Sequence, residues 1–377
     1  MLPRVGISTA PAATTDMGNR YIPPKVRTPA APLAGASTSA GTQPLPSARP
    51  QRRAPPAPTL HPRNRHQGRY DLARLIRAHP GLKRFVKPNP QGIDSIDFAD
   101  PAAVEALNAA LLTDWYSISG WSVPTGFLCP PIPGRADYLH HAADVLAASN
   151  GKKLPRGPQV RVLDIGTGAN VVYPLIGHGE YAWSFVGSEI SPEALASAQR
   201  ILAANPAAAA RISLRRQTDA TRAFAGIVTA QEEFDLTVCN PPFHATVAEA
   251  NAGSQRKWRN LSKEESDDGN DDDEEADDEP VRNFGGQTAE LTCPGGELGF
   301  ISRMITESAA IGARCAWFTA LVAQGRHLDK LNRVLHNAEA RTSRVIDMGQ
   351  GQKRSRLLAW TFLDAAALRT WAQRRWH

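Results

Sequence analysis

The residues with the clearest chemical use in this sequence are Asn240-Pro241-Pro242-Phe243, which follow the apolar run Phe234-Asp235-Leu236-Thr237-Val238-Cys239. An asparagine oxygen and a neighbouring proline carbonyl are two hydrogen-bond acceptors. Together they can take both N–H hydrogens of an exocyclic amine on a heteroaromatic ring. Such an amine is a poor nucleophile, because its lone pair is delocalised into the ring. Held by both hydrogens, the nitrogen becomes more pyramidal and its lone pair can aim at an electrophilic carbon. Proline fixes φ and stiffens the turn that presents the carbonyl. Phe243 can stack on a flat ring. The work required is mostly positioning, worth up to roughly 7–11 kcal/mol in intramolecular models. The plainer reading is a turn that closes a strand.

A second stretch, Val160-Arg161-Val162-Leu163-Asp164-Ile165, ends in Gly166-Thr167-Gly168-Ala169-Asn170. A short apolar run ending in glycines suits a buried parallel strand and the tight turn after it. Without a Cβ the backbone there admits a close ligand. Another strand-like run, Trp183 to Gly187, ends at Ser188-Glu189. An acidic residue at that tip can accept the ribose hydroxyls of a nucleoside. Three readings compete. One is an ordinary α/β core. One is a dinucleotide site, which wants a third glycine where Val171 stands. The third is S-adenosylmethionine, which has no phosphate and needs only the G-x-G turn and an acidic pair, met by Asp164 and Glu189. Gln217 and Asp219, after the run Arg211 to Leu214, are suited to the cofactor's adenine. Arg135 stands at the mouth of a proline-rich turn, Pro130 to Gly134. It is either a partner for the cofactor's carboxylate or a surface arginine.

These residues require a sheet to hold them. Runs at 160–165, 183–188, 212–216, 234–239 and 315–320 read as strands with helices between, notably Pro192 to Ala204. Helices are expected over Tyr70 to Ile76, from Asp100-Pro101 through Leu111, over Tyr138 to Ala148, Leu298 to Ile311 and Leu328 to Leu335. Arg344 to Asp347 and Leu357 to Phe362 form an antiparallel pair that completes seven strands. The expected fold is α/β: a class I, Rossmann-like methyltransferase sheet, mostly parallel, with an antiparallel C-terminal hairpin and an N-terminal helical extension.

Residues 1–59 are rich in Pro, Ala, Ser, Thr and Arg and poor in large apolar residues, which predicts a disordered tail. Residues 60–150 are expected to be the helical, RNA-binding extension, and 151–377 the methyltransferase domain. That domain carries an acidic insertion at 262–280, read as a solvated spacer. The insertion hides the basicity of the rest. Of 43 basic and 37 acidic residues, twelve acids and one Lys lie between Lys263 and Pro280. Without that segment 42 basic residues face 25 acidic ones, a formal +17. A basic body suits a polyanion. Candidate phosphate or base contacts are Arg63 and Arg65, the cluster Arg256, Lys257 and Arg259 around Trp258, and Lys353, Arg354 and Arg356. Cys129, Cys239, Cys293 and Cys315 are scattered. That spacing suggests neither a metal site nor a disulfide framework and points to a reducing cytoplasm. No apolar run approaches the ~20 residues of a membrane span.

The N-P-P-F pattern is similar to that of amino-methyltransferases at large, which act on adenine N6, cytosine N4, guanine N2 or a glutamine side chain. Taken together, L-H-P-R-N-R-H at 60–66, P-G-R-A-D-Y at 133–138, L-D-I-G-T-G-A-N at 163–170, C-N-P-P-F-H at 239–244, N-F-G-G-Q at 283–287 and Q-G-Q-K-R-S-R at 350–356 resemble the ribosomal RNA large subunit methyltransferase F family. They also resemble eukaryotic enzymes that methylate adenine in a small nuclear RNA. The resemblance spans about residues 60 to 365. It implies methyl transfer to adenine N6 at one position of large-subunit (23S) ribosomal RNA, with that RNA or its assembly intermediate as partner. It implies that Arg135, Gly166, Glu189, Asp219 and Asn240 hold the cofactor or line its pocket, and that Asn240 to Phe243 receive the adenine. The long tail and the acidic insertion depart from the family pattern. The alternatives are an amino-methyltransferase with another substrate (guanine N2, a small-RNA adenine or a protein glutamine) and a non-catalytic assembly factor.

Overall fold

A computed structural model describes residues 59–246, 288–350 and 353–376 of the chain. The chain from Pro55 to His377 is one unit by its internal contacts. The acidic insertion, the basic cluster at 256–259 and the N-F-G-G-Q stretch lie outside the described residues.

The N-terminal part holds α1 (Leu72–Ala78), a small hairpin of β1 (Val86–Pro88) and β2 (Asp94–Ile96), α2 (Pro101–Tyr116) and α3 (Ile132–Ser149). Helix α2 starts where Asp100 accepts from the Ala102 amide and Pro101 fills the first turn. It stops at Ser117, whose φ of 57° lies in the left-handed region. The stretch Pro130 to Arg135, expected as a turn ahead of a helix at Tyr138, is instead where α3 begins. Pro133 sits in the first turn, where its missing N–H is not needed. Arg135 therefore belongs to the helix and is buried.

The rest alternates: β3 (Arg161–Ile165), α4 (Val172–Tyr181), β4 (Ser184–Glu189), α5 (Pro192–Ala203), α6 (Pro206–Ala209), β5 (Ile212–Arg216) and β6 (Phe234–Cys239). After the gap come α7 (Thr288–Leu291), α8 (Gly296–Ser308), β7 (Cys315–Val322), α9 (Leu328–Asn337), β8 (Thr342–Gln350), β9 (Lys353–Thr361) and α10 (Ala365–Arg375). The spatial order is β5-β4-β3-β6-β7-β9-β8. The first five strands are parallel, and β9 and β8 close the sheet antiparallel. Strands β6 and β7 are buried along their whole length, which is why apolar residues dominate both, with Asp235, Thr237 and Thr319 as buried polar members. Alternate residues face two cores. Val162, Leu236, Trp317 and Leu357 face one; Leu163, Cys239, Phe318 and Leu358 face the other. The hairpin is longer than expected. Its strands run to Gln350 and resume at Lys353, so Arg354 and Arg356 lie on β9 rather than in a loop.

Strand order reverses between β3 and β6, and ligands of open α/β sheets bind outside the carboxyl ends at such a point. The register pairs Ile165 with Cys239. It therefore sets Gly166 and Asn240, the next residue on each chain, at adjoining strand tips.

Candidate active site

The turn after β3 is pinned to the tip of β4. Amides of Gly166 and Thr167 donate to the Ser188 carbonyl at 3.0 and 2.9 Å. The Glu189 carboxylate accepts from Gly168 N at 3.0 Å with one oxygen, and from Ile190 N and Ser191 N at 2.8 and 3.0 Å with the other. Of about four acceptor directions on a carboxylate, three are used. Gly166 and Gly168 have φ of +71° and +68°, which side-chain-bearing residues rarely adopt, and a Cβ at Gly166 would meet nothing within 4 Å. Val171, three residues on, holds φ 47° although it is β-branched and fully buried. Strain of this kind persists only where its surroundings over-determine it. Here Trp121 Nε1 donates to the Asn170 carbonyl at 3.0 Å, and Asn170 Oδ1 accepts from Val172 N at 3.1 Å.

Asp164 lies directly under this turn. It is fully buried, and neither carboxylate oxygen has a hydrogen-bond partner. Burial pushes its pKa up to about 7; the neighbouring Thr167 hydroxyl opposes the rise, the Glu189 charge adds to it, and the Arg135 charge opposes it. An unpaired buried acid is costly. It is understandable where a cationic ligand completes the site.

At the neighbouring tip, Arg135 Nη1 donates to Asn240 Oδ1 at 2.8 Å and to the Tyr173 hydroxyl at 3.1 Å. The guanidinium carbon also lies 5.4 Å from the Tyr173 ring centre. A donor on Oδ1 settles which way the Asn240 amide faces. Pro241 is buried, while Pro242 and Phe243 are half-buried. Behind them the Cys239 amide donates to the Tyr138 hydroxyl at 3.4 Å, and that hydroxyl meets Thr319 Oγ1 at 2.7 Å. His244 pairs with Thr292 in an isolated bridge. Gly296 packs so closely here that a Cβ would stand 3.1 Å from the Ala245 nitrogen.

Gln217 and Asp219 follow β5. Gln217 N donates to the Glu189 carbonyl at 2.9 Å, its Nε2 donates to the Ala225 carbonyl, and its Oε1 accepts from Asp219 N. Asp219 is exposed, and its carboxyl sits below its usual range because the Thr221 hydroxyl and amide donate to it.

The structure thus brings together Asp164, Gly166, Gly168, Glu189, Gln217, Arg135 and Asn240 to Phe243. The basic candidates are spread elsewhere. Arg63 is held inside a clasp, donating to Asp144 and the His140 carbonyl, both at 2.8 Å. Arg65 is half-exposed and pairs with Glu180 at 2.7 Å. In the same segment His61 meets Asp144 at 2.9 Å, and His66 lies between the Tyr70 and Tyr116 hydroxyls. Arg354 is exposed; Arg356 is half-buried, 3.6 Å from Asp347. Arg256, Lys257 and Arg259 lie outside the described residues, and the Lys353 side chain is not described. Sequence reasoning missed Tyr173 and Glu290. Glu290 accepts from Leu128 N at 2.9 Å beside the glycine turn. Its only sequence signal is an acid shortly before Gly295-Gly296, which is weak. Among the described residues no cluster of His, Cys, Asp or Glu could hold a metal ion, and no helix is long and apolar enough to cross a membrane.

Comparison with known proteins bears on this geometry. Residues 54–364 match the model of a family described as RNA methyltransferase. The chain is 54% identical over 320 residues to Ribosomal RNA large subunit methyltransferase F of Pseudomonas aeruginosa (strain LESB58), covering 85% of this chain and 93% of that one. To the protein of the same name from Methylobacillus flagellatus it is 53% identical over 321 residues, covering 84% and 96%. Among solved structures, the hMettl16 catalytic domain in complex with MAT2A 3′UTR hairpin 1 superposes with a TM-score of 0.66 at 28% identity, covering 81% of this chain and 96% of that one.

Proposed function

The chain belongs to the RNA methyltransferase family and, within it, to the ribosomal RNA large subunit methyltransferases F, and from that premise we propose that it methylates the exocyclic N6 amine of one adenine in large-subunit ribosomal RNA. S-adenosylmethionine, when bound, supplies a methyl group made electrophilic by a sulfonium. The residues present suit that cofactor. Asp164 offers a buried, unpartnered acid to a cation, Gly166 faces open space, and Glu189 keeps acceptor capacity for a ribose hydroxyl. Gln217 and Asp219 stand at the next strand tip, where they can serve the cofactor's adenine. Arg135 carries the charge for its carboxylate.

The observation that carries the reading is the Asn240 side chain, fixed by Arg135 at a strand tip adjoining the glycine turn. Arg135 uses one acceptor direction of Oδ1, and the second remains for an N–H of the substrate amine. The Pro241 carbonyl takes the other N–H, and Phe243 stacks on the base. The nitrogen that gains the methyl sheds its proton readily, because a methylated aromatic ammonium is a strong acid, so Asn240 and Pro241 need only orient. A base inside a helix cannot reach these groups, so the target is extruded or already single-stranded. Exposed Arg354, and the basic residues near it in sequence, fit the phosphates of such an RNA. The chain would act in the cytoplasm, where ribosomes are modified. Support for RNA as substrate comes from the solved neighbour, whose catalytic domain is in complex with an RNA hairpin.

The test is direct. Purified protein, labelled S-adenosylmethionine and large-subunit RNA from cells lacking the gene are combined, and the RNA is digested to nucleosides. Label in N6-methyladenosine is expected. Label in N2-methylguanosine, or only in protein, would overturn the assignment.

A further inference from the structure

Glu290 stands apart from the acids already discussed. It lies on α7, the short helix that leads to the bridge between Thr292 and His244 beside the Asn240 loop. One carboxylate oxygen accepts from Leu128 N at 2.9 Å. The other lies 3.7 Å from the position a Cβ on Gly168 would occupy. Leu128 is also tied from the turn itself, because Asn170 Nδ2 donates to its carbonyl at 3.4 Å. Beneath this strap, Phe127 packs on Ala169 and Ala194. Glu290 is thus a half-buried carboxylate held by a backbone amide against the glycine turn, contributed by an element remote in sequence.

We propose that the Glu290 carboxylate receives the α-ammonium of the cofactor's methionine part. The argument is charge complementarity. An amino-acid end carries both a carboxylate and an ammonium. Arg135 supplies the cation at the tip of β6, and Glu290 supplies the anion at the tip of β3, the neighbouring parallel strand. Glu189 is already turned to the amides of Gly168, Ile190 and Ser191 and belongs to the ribose side. Charge-assisted hydrogen bonds of this kind are stronger than neutral ones. The inference rests on the cofactor reading above.

The test is calorimetric titration of the full chain and of Glu290→Gln with two ligands. S-adenosylhomocysteine carries the amino-acid end; 5′-methylthioadenosine lacks it. Glutamine preserves an acceptor for Leu128 N but removes the charge. The expected result is a tenfold or greater loss of S-adenosylhomocysteine affinity, with 5′-methylthioadenosine binding unchanged. Equal losses for both ligands would make Glu290 a prop for the strap and overturn the proposal. So would no loss for either. If the unaltered chain binds neither ligand, the cofactor reading itself fails.

Discussion

Two aspartates on adjacent strands, both fully buried, have opposite surroundings. Asp235, at the start of β6, takes five donors: the Arg161 amide, the Trp371 and Trp376 indoles, and two nitrogens of Arg375, all between 2.7 and 2.9 Å. Asp164, near the end of β3, takes none. The amino end of the sheet is therefore a closed lock in which the C-terminal helix is bolted to the central strands. The carboxyl end keeps an unpaired acid, positive-φ backbone and an asparagine already aimed by an arginine. The lesson is one of placement: where the fold needs stability its buried charges are saturated, and where it needs a ligand one of them is left open.

The contrast can be broken first at the lock. Asp235→Ala leaves the half-buried Arg375 guanidinium with only the more distant Glu233, at 3.4 Å, as acid, and an expected loss of about 3–5 kcal/mol follows from breaking a buried pair. Urea unfolding measures it, and Asp235→Asn, which keeps some acceptors, should lose less. Asn240→Ala acts on the other end. Removing one preorganised polar group is expected to lower turnover roughly 10²–10³-fold. S-adenosylhomocysteine affinity should hardly move, and near-normal turnover would remove Asn240 from the chemistry.

Asp164→Asn sharpens the contrast, because it should stabilise the ligand-free protein while weakening cofactor binding. The sign follows from linkage. The folded pKa of about 7 lies above the unfolded value, so the proton on Asp164 contributes stability that is present at low pH and lost as pH rises toward and through 7. The variant should therefore gain on the parent by roughly 2–4 kcal/mol at pH 8 and lose that advantage near pH 4. Affinity for a cationic cofactor should run the other way in the parent, rising with pH through about 7. A flat profile would mean that Asp164 does not meet the cation.

The effect that is smallest at neutral pH belongs to the clasp of residues 60–66 and the helix it grips. Burial lowers the pKa of His66 to about 3 and of His140 to about 4. Both are neutral in the fold, and the unfolded chain takes their protons first. Stability should fall as pH drops from about 6.5 toward 4, and His66→Gln should flatten that slope in acid unfolding.

Much of this site is legible before any coordinates. Strands β3, β4 and β6 are buried on both faces, so their apolar runs and terminal Gly, Glu and Asn mark both element and site. Chain order then sets the glycine turn beside Asn240. What escapes is whatever depends on contacts between distant segments. Nothing local announces that Arg135 turns inward to Asn240, that Tyr173 supports it, or that Glu290 returns to Gly168 from beyond a long insertion. Helix α10 is passed over because its residues are weakly amphipathic, although Asp364 before Ala365-Ala366-Ala367 is a readable cap. The partners of the clasp's basic residues escape for the same reason. Nothing near Arg63 in sequence shows that it pairs with Asp144, on a helix far along the chain.

The central claim is that this site methylates adenine N6 in large-subunit ribosomal RNA. Mass spectrometry of ribosomal RNA nucleosides, with fragment mapping, from cells with and without the gene tests it most directly. The expected result is loss of one N6-methyladenosine from the large-subunit RNA, restored by the unaltered chain and not by Asn240→Ala. An unchanged N6-methyladenosine profile would contradict it.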